Sequence, residues 1–295
     1  MTALAQPIAT ARPRPTVRRR LADWVDRWGL VAYTLAAVAY LLLPILVMIV
    51  FSFNAQVGKF NYQWHAFSLN AWLNPFGRPG MESAIVTSLQ IAFLSTLAAT
   101  ALGTLIALSL TRYRFFGRSA TNLFIFLPMA TPEIVMGASL LTLFVNTTQA
   151  PFDAFVPKGL LFPLGFNTIL IAHIMFNISY VVVTVKARMA GFDRRLEEAA
   201  MDLGANEWTT FWKITFPLIF PGILAAALLA FSLSIDDFVV TNFTSGLTNT
   251  FPIWVWGSIR NSLPVQINVV GTMIFGTAVL LVLGSTFLQR RHQAA

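Results

Sequence analysis

Six apolar stretches of about twenty residues each constrain the fold of this chain more than any other feature. A hydrocarbon layer is about 30 Å thick and a helix rises about 1.5 Å per residue, so a spanning helix needs about 20 apolar residues. The stretches cover 30–53, 84–110, 120–145, 167–185, 219–243 and 267–288. They predict an all-α polytopic membrane protein with six transmembrane helices over 30–288. Residues 1–29 read as a flexible basic arm and 289–295 as a short tail. Only 11% of residues are charged and 56% are hydrophobic, against about 25% charged in ordinary soluble domains. A surface wet on all sides needs more charge than that, so the main solvent is lipid.

The formal net charge of +8 would suit nucleic acid, but its distribution argues against that partner. Of the 20 Lys and Arg, 16 lie in the N-terminal arm, the 112–118 and 186–213 segments and the C-terminal tail. Lys59, Arg78, Lys158 and Arg260 lie in the alternate loops. Basic loops stay on the cytosolic side, so both termini of this multi-pass protein are expected in the cytosol. Arg12, Arg14, Arg18, Arg19 and Arg20 then act as a topology signal. Residues 1–20 lack the apolar core of a secretory signal. The opposite loops carry Phe60, Tyr62, Trp64, Phe67, Trp72 and Phe76, and later Trp254 and Trp256. These rings suit headgroup anchoring, or an outer docking surface.

Several chemistries find no support. There is no cysteine, and His65, His173 and His292 form no ligand motif, so no metal site is expected. No nucleophile–base pair suggests an enzyme. No G-x-x-x-x-G-K-[ST] loop is present, so the chain holds no nucleotide cofactor, and any ATP and Mg belong to another chain. His173 reads as a packed, hydrogen-bonded histidine rather than a proton relay. Asn177 and Ser179 read as interhelical hydrogen-bonding groups or path-lining residues.

The largest basic-side loop, 193–217, is patterned for docking. Asp193 can cap a helix whose first turns carry Glu197 and Glu198, where the helix dipole favours acids. Leu196, Ala199, Ala200 and Leu203 form one apolar stripe. Gly204 ends that helix, Asn206 can cap a second one, and Pro217 begins the turn into the fifth span. A surface hairpin without a partner fits this pattern as well as a docking element does.

Glu198-Ala199-Ala200, Gly204 four residues on, Ile214 and Phe216-Pro217 together resemble the EAA loop of ABC-importer permeases. Phe216 stands where the family pattern has Leu. Ser88–Ala92, Thr111–Phe115, Leu127-Pro128 and Pro132-Glu133 are similar to further segments of these permeases. Ser234–Val240 and Phe251-Pro252 most resemble the spermidine/putrescine branch and its C- or I-type subunit. The resemblance implies a type I permease core and a coupling role for Glu198, Ala199, Ala200, Gly204, Ile214 and Pro217. It also implies an ATPase dimer, a sister permease and an extracytoplasmic substrate-binding protein as partners.

Within that resemblance, acids in the membrane become candidate path residues. An Asp at mid-span costs about 2.5–3.5 kcal/mol on insertion scales. Asp236 lies about 26 Å along its helix and Glu133 about 20 Å along its own, at comparable depth. Pro128 and Pro132 predict a kinked or broken third span. Glu133, Asp236 and Asp237 are therefore expected to line a cation-attracting path for a polyamine, or else to pair and cap helices structurally. An ABC permease for another small solute, or a gradient-driven secondary transporter, are the alternative functions.

Overall fold

The computed structural model describes residues 17–147 and 163–294. Arg12, Arg14 and Lys158 lie outside the described residues, as do the side chains of Arg18, Arg19, Arg20 and His292. The helices are α1 (Val17–Phe51), α2 (Asn70–Leu73), α3 (Met81–Arg112), α4 (Arg118–Ala130), α5 (Glu133–Asn146) and α6 (Phe166–Ala190). They continue with α7 (Arg195–Asp202), α8 (Glu207–Thr210), α9 (Phe216–Ile235), α10 (Val239–Thr244), α11 (Phe251–Asn261) and α12 (Val265–Ala294). A π-turn, Phe211–Thr215, joins α8 to α9.

Among the described residues four helical stretches are long and apolar enough to cross a membrane: Trp28–Phe51, Met81–Arg112, Phe166–Ala190 and Glu207–Ile235. The pair α4–α5 reaches that length only jointly, across a 109° bend. In α12 the described apolar part is Val265–Leu280. The arm expected over 1–29 is helical from Val17, because Arg18, Arg19, Arg20, Leu21 and Ala22 are good helix formers with no breaker among them. The expected tail likewise continues α12 to Ala294.

The chain divides into two units. One comprises Met1–Pro75 with Pro264–Ala295. Within it α1 and α12 come close enough that a Cβ on Gly271 would lie 2.6 Å from the Met48 sulfur. The loop after α1 is pinned by Asn54, whose Nδ2 donates to Asn61 Oδ1 at 2.7 Å and whose Oδ1 accepts the His65 N–H at 2.9 Å. Phe53 stacks on Phe67 and Trp72 at 5.6 and 5.1 Å. Part of the aromatic set thus builds this loop, while Tyr62 and Trp64 stay exposed.

The other unit, Phe76–Leu263, is built on α3, α6 and α9. Lipid gives no hydrophobic drive between helices, so close packing by small residues must hold them. Ala99, Ala107, Ala226 and Ala230 are fully buried among Val181, Val182 and Val185. At Gly103 an added Cβ would sit 2.7 Å from Val181 Cγ1, so α3 and α6 touch through bare backbone. Two helices in this unit are broken. Thr131 is extended (φ −81°, ψ 130°) as the residue before Pro132 must be, and this separates α4 from α5. The fifth span, expected to run to Phe243, stops at Ile235, because Asp236 and Asp237 are poor helix formers that favour caps. After three intervening residues the chain resumes as α10.

Candidate functional site: an acidic cavity and an exposed helical loop

The two breaks meet at one cavity of about 340 Å³. Its wall includes the α4–α5 break from Pro128 to Glu133, Phe176 and Tyr180 of α6, Leu233 of α9, and Asp237. Glu133 opens α5, where an acid in the first turn is favoured by the helix dipole. Two of the three candidate path acids therefore share a cavity. Asp236 is exposed and, although next to Asp237 in the chain, does not line the cavity with the other two. Asp236 and Asp237 lie between α9 and α10, Asp236 as the C-cap of α9, rather than within one continuous helix.

Asp237 is tied at one oxygen. Oδ2 accepts the Thr241 N–H at 2.8 Å and the Thr241 hydroxyl at 2.7 Å, which caps the start of α10. His173 Nε2 lies 2.9 Å from Thr241 Oγ1 and 3.4 Å from Asp237 Oδ2. On the other side of the ring, Nδ1 is 2.6 Å from Ser234 Oγ, which is 3.0 Å from Ser95 Oγ. His173 is 1% exposed and fully hydrogen-bonded, as a packed histidine should be. Asn177 departs from its expected role. It is 0% exposed, and neither of its amide atoms has a hydrogen-bond partner among the described residues. Ser179 is buried on the same helix. The sequence pointed to the acids but not to Phe176, Tyr180 or the Ser95–Ser234 link. Only the position of a histidine inside an apolar helix signalled a polar core there.

The loop 193–217 follows its expected local rules with one exception. Asp193 Oδ1 accepts the Arg195 N–H at 3.0 Å. Gly204 is left-handed (φ 89°), and Ala205 N–H bonds to Ala200 C=O at 3.0 Å, a Schellman-type stop. Asn206 Oδ1 accepts the Thr209 N–H at 2.8 Å. The exception is Pro217. No turn occurs there; the chain is helical without interruption from Glu207 to Ile235. Pro217 offers no N–H to the carbonyl four residues back, and the wider π-turn just before it takes up the mismatch, with Phe216 N–H bonding to Phe211 C=O.

No residue of α7 is buried. Glu198, Ala199, Gly204 and Pro217 are exposed, and Ala200 and Ile214 are half-buried. Leu203 is 90% and Trp208 71% exposed, so the apolar stripe lies open. The loop is nevertheless fixed at its root. Glu197 pairs with Arg112 at the end of α3 and accepts the Thr215 hydroxyl. Arg194 Nη2 donates to Thr111 C=O at 3.0 Å. Sequence reasoning gave Glu197 only a dipole role and did not find this tie.

The family described as "Binding-protein-dependent transport system inner membrane component" matches residues 99–292. The chain belongs to this family. As such an inner-membrane transport component, it is a permease subunit rather than an enzyme. It is similar to the spermidine/putrescine transport system permease protein PotC of Haemophilus influenzae, 34% identical over 88% of this chain and 96% of that one. It is also 36% identical to the putrescine transport system permease protein PotI of Escherichia coli, over 86% of this chain and 88% of the relative. Its fold resembles that of a bacterial ABC transporter involved in import of the acidic polysaccharide alginate, with TM-score 0.65, 17% identity and coverage of 92% and 99%. The same holds for the alginate transporter in complex with its pentasaccharide-bound periplasmic protein, with TM-score 0.62, 19% identity and coverage of 92% and 98%.

Proposed function

We propose that this subunit forms part of the membrane pathway for a polyamine of the spermidine/putrescine type. The observation that carries the proposal is the cavity at two helix breaks that contains both Glu133 and Asp237. Freed backbone groups are tolerated in a membrane where they line a cavity, and two carboxylates there suit a linear polycation with separated ammonium groups. A volume of about 340 Å³ falls within the range of small-molecule sites, about 300–1,000 Å³. Similarity to PotC and PotI across most of the chain supports the same cargo.

In this reading six spans cross the bacterial inner membrane with both termini in the cytosol, as the basic loops require. The loop 193–217 then faces the cytosol and docks on an ATPase dimer through its open apolar face, with Glu198, Ala199, Ala200, Gly204, Ile214 and Pro217 in the coupling segment. A sister permease completes the pathway, and an extracytoplasmic binding protein delivers the cargo. ATP and Mg stay with the ATPase. Alternating access requires that cargo and nucleotide states bind the two conformations differently.

Uptake of labelled putrescine and spermidine by the complete complex tests the cargo. Glu133→Gln and Asp237→Asn should each lower uptake at unchanged expression; parental uptake in both removes the cavity from the pathway. Affinity recovery of the tagged chain should bring down an ATPase in stoichiometric amount. Uptake driven by an ion gradient with this chain alone would overturn the coupling.

A further inference from the structure

The structure assigns His173 and Thr241 as positioning residues for the cavity carboxylate Asp237. This rests on the proposed pathway role of that cavity. An ionised carboxylate only accepts hydrogen bonds, so the Thr241 hydroxyl at 2.7 Å must donate to Oδ2. Thr241 Oγ1 is then an acceptor toward His173, and Nε2 at 2.9 Å must carry the proton. In the neutral ring Nδ1 becomes the acceptor, which directs the Ser234 hydroxyl toward it at 2.6 Å. Ser95 closes the chain at 3.0 Å from Ser234.

With a neutral ring, the proton directions from Thr241 to Ser234 thus follow from the charge on Asp237. The chain links α3, α6, α9 and α10, and its members Ser95, Ser234, His173 and Thr241 are all buried. All three contacts at Asp237 fall on Oδ2: the Thr241 N–H, the Thr241 hydroxyl and the nearby imidazole. Oδ1 is outside that set. The side chain of Asp237 is 8% exposed and belongs to the cavity wall. Holding one oxygen through a buried network fixes the rotamer and presents the other to a cationic ligand. Such preorganisation is stronger inside a low-dielectric site than in water.

The test uses the reconstituted complete complex. It measures labelled putrescine transported per ATP hydrolysed, which a general loss of assembly lowers in both terms and leaves in proportion. His173→Gln keeps an N–H donor near the Nε2 position, whereas His173→Asn places its amide near Nδ1 and leaves Thr241 without a donor. Thr241→Val removes the hydroxyl, and Thr241→Ser restores it. His173→Asn, Thr241→Val and Asp237→Asn should each lower the transport ratio about tenfold, the factor of one lost hydrogen bond to a charged group. His173→Gln and Thr241→Ser should stay within about twofold of the parent, since each keeps the hydrogen bonds that run toward Asp237. Equal loss in His173→Gln and His173→Asn overturns the assignment and leaves a packing role. A low ratio in Asp237→Asn with parental values in His173→Asn and Thr241→Val also overturns it, while keeping the cavity. Parental ratios in all variants, Asp237→Asn included, remove the cavity reading itself.

Discussion

Replacing Gly137 with Ala probes the wall that joins the two broken helices. Gly137 lies one turn after Glu133 in α5, and an added Cβ would stand 2.5 Å from Phe243 Cδ2, 3.1 Å from Cγ and 3.3 Å from Cβ of the same residue. Ordinary contact begins at 3.4 Å, so the ring, or α10 with it, must move by nearly an ångström. Overpacking of this kind costs about 1–3 kcal/mol. Against that stands the gain of replacing a helical Gly with Ala, about 1 kcal/mol. The two terms give net destabilisation of about 0–2 kcal/mol in the parent. In a Phe243→Ala background only the 3.3 Å contact of these three remains, so the helix gain should dominate and Gly137→Ala should stabilise. The sign change is read by thermal unfolding of the purified complex in detergent, as a double-mutant cycle. Gly137→Ala with the same sign and size in both backgrounds would refute the reasoning. Because α10 carries Thr241, the single variant should also lower uptake more than its stability loss accounts for.

Four further outcomes follow from the geometry. Asp236→Asn should leave polyamine uptake within about twofold of the parent, since the exposed Asp236 holds no place in the cavity wall and such surface changes cost within about 0.5 kcal/mol. Gly204→Val forces a β-branched residue into φ 89°, costs about 1–3 kcal/mol locally, and should weaken recovery of the ATPase on the tagged chain. Asn206→Ala removes the cap on Thr209 N–H and should cost about 1 kcal/mol, seen as faster proteolysis of the loop. Arg112→Ala leaves the half-buried Glu197 without its cation; the complex should assemble, but ATP hydrolysis should respond less to loaded binding protein.

Much of the architecture was legible because lipid makes the code coarse. Apolar length alone located α3, α6 and the α9 region, and the Pro128–Pro132 pair announced the break between α4 and α5. Capping rules found Asp193, Gly204 and Asn206 because each acts on its nearest backbone neighbours. Pro217 was misread for the same reason in reverse: a proline usually signals a boundary, and nothing local reveals that a π-turn will absorb it. The end of α9 at Ile235 was also hidden, since a hydropathy window averages across two acids. At the cavity, Glu133 and Asp237 stood out by their cost in a membrane. Ser95 did not, because its partner Ser234 lies far along the chain and serines in apolar helices are common. The same distance concealed Arg112 and Glu197, which only the fold brings together.

The uninterrupted helix from Glu207 to Ile235 has a consequence for how this sequence can change. Its 29 residues make a rod about 43 Å long, with the exposed loop at one end and the Asp236–Phe238 break at the other. Past the Phe211–Thr215 turn, from Phe216 to Ile235, no joint can absorb an added or deleted residue. Removing one residue between Phe216 and Gly222, where the helix is regular α, would rotate everything beyond it by about 100°. Ala226 and Ala230 would leave the packed face and Asp237 would swing off the cavity. Chain length between Phe216 and Asp237 is therefore under constraint independent of residue identity, so single-residue deletions there should be lethal to transport even where every substitution is tolerated.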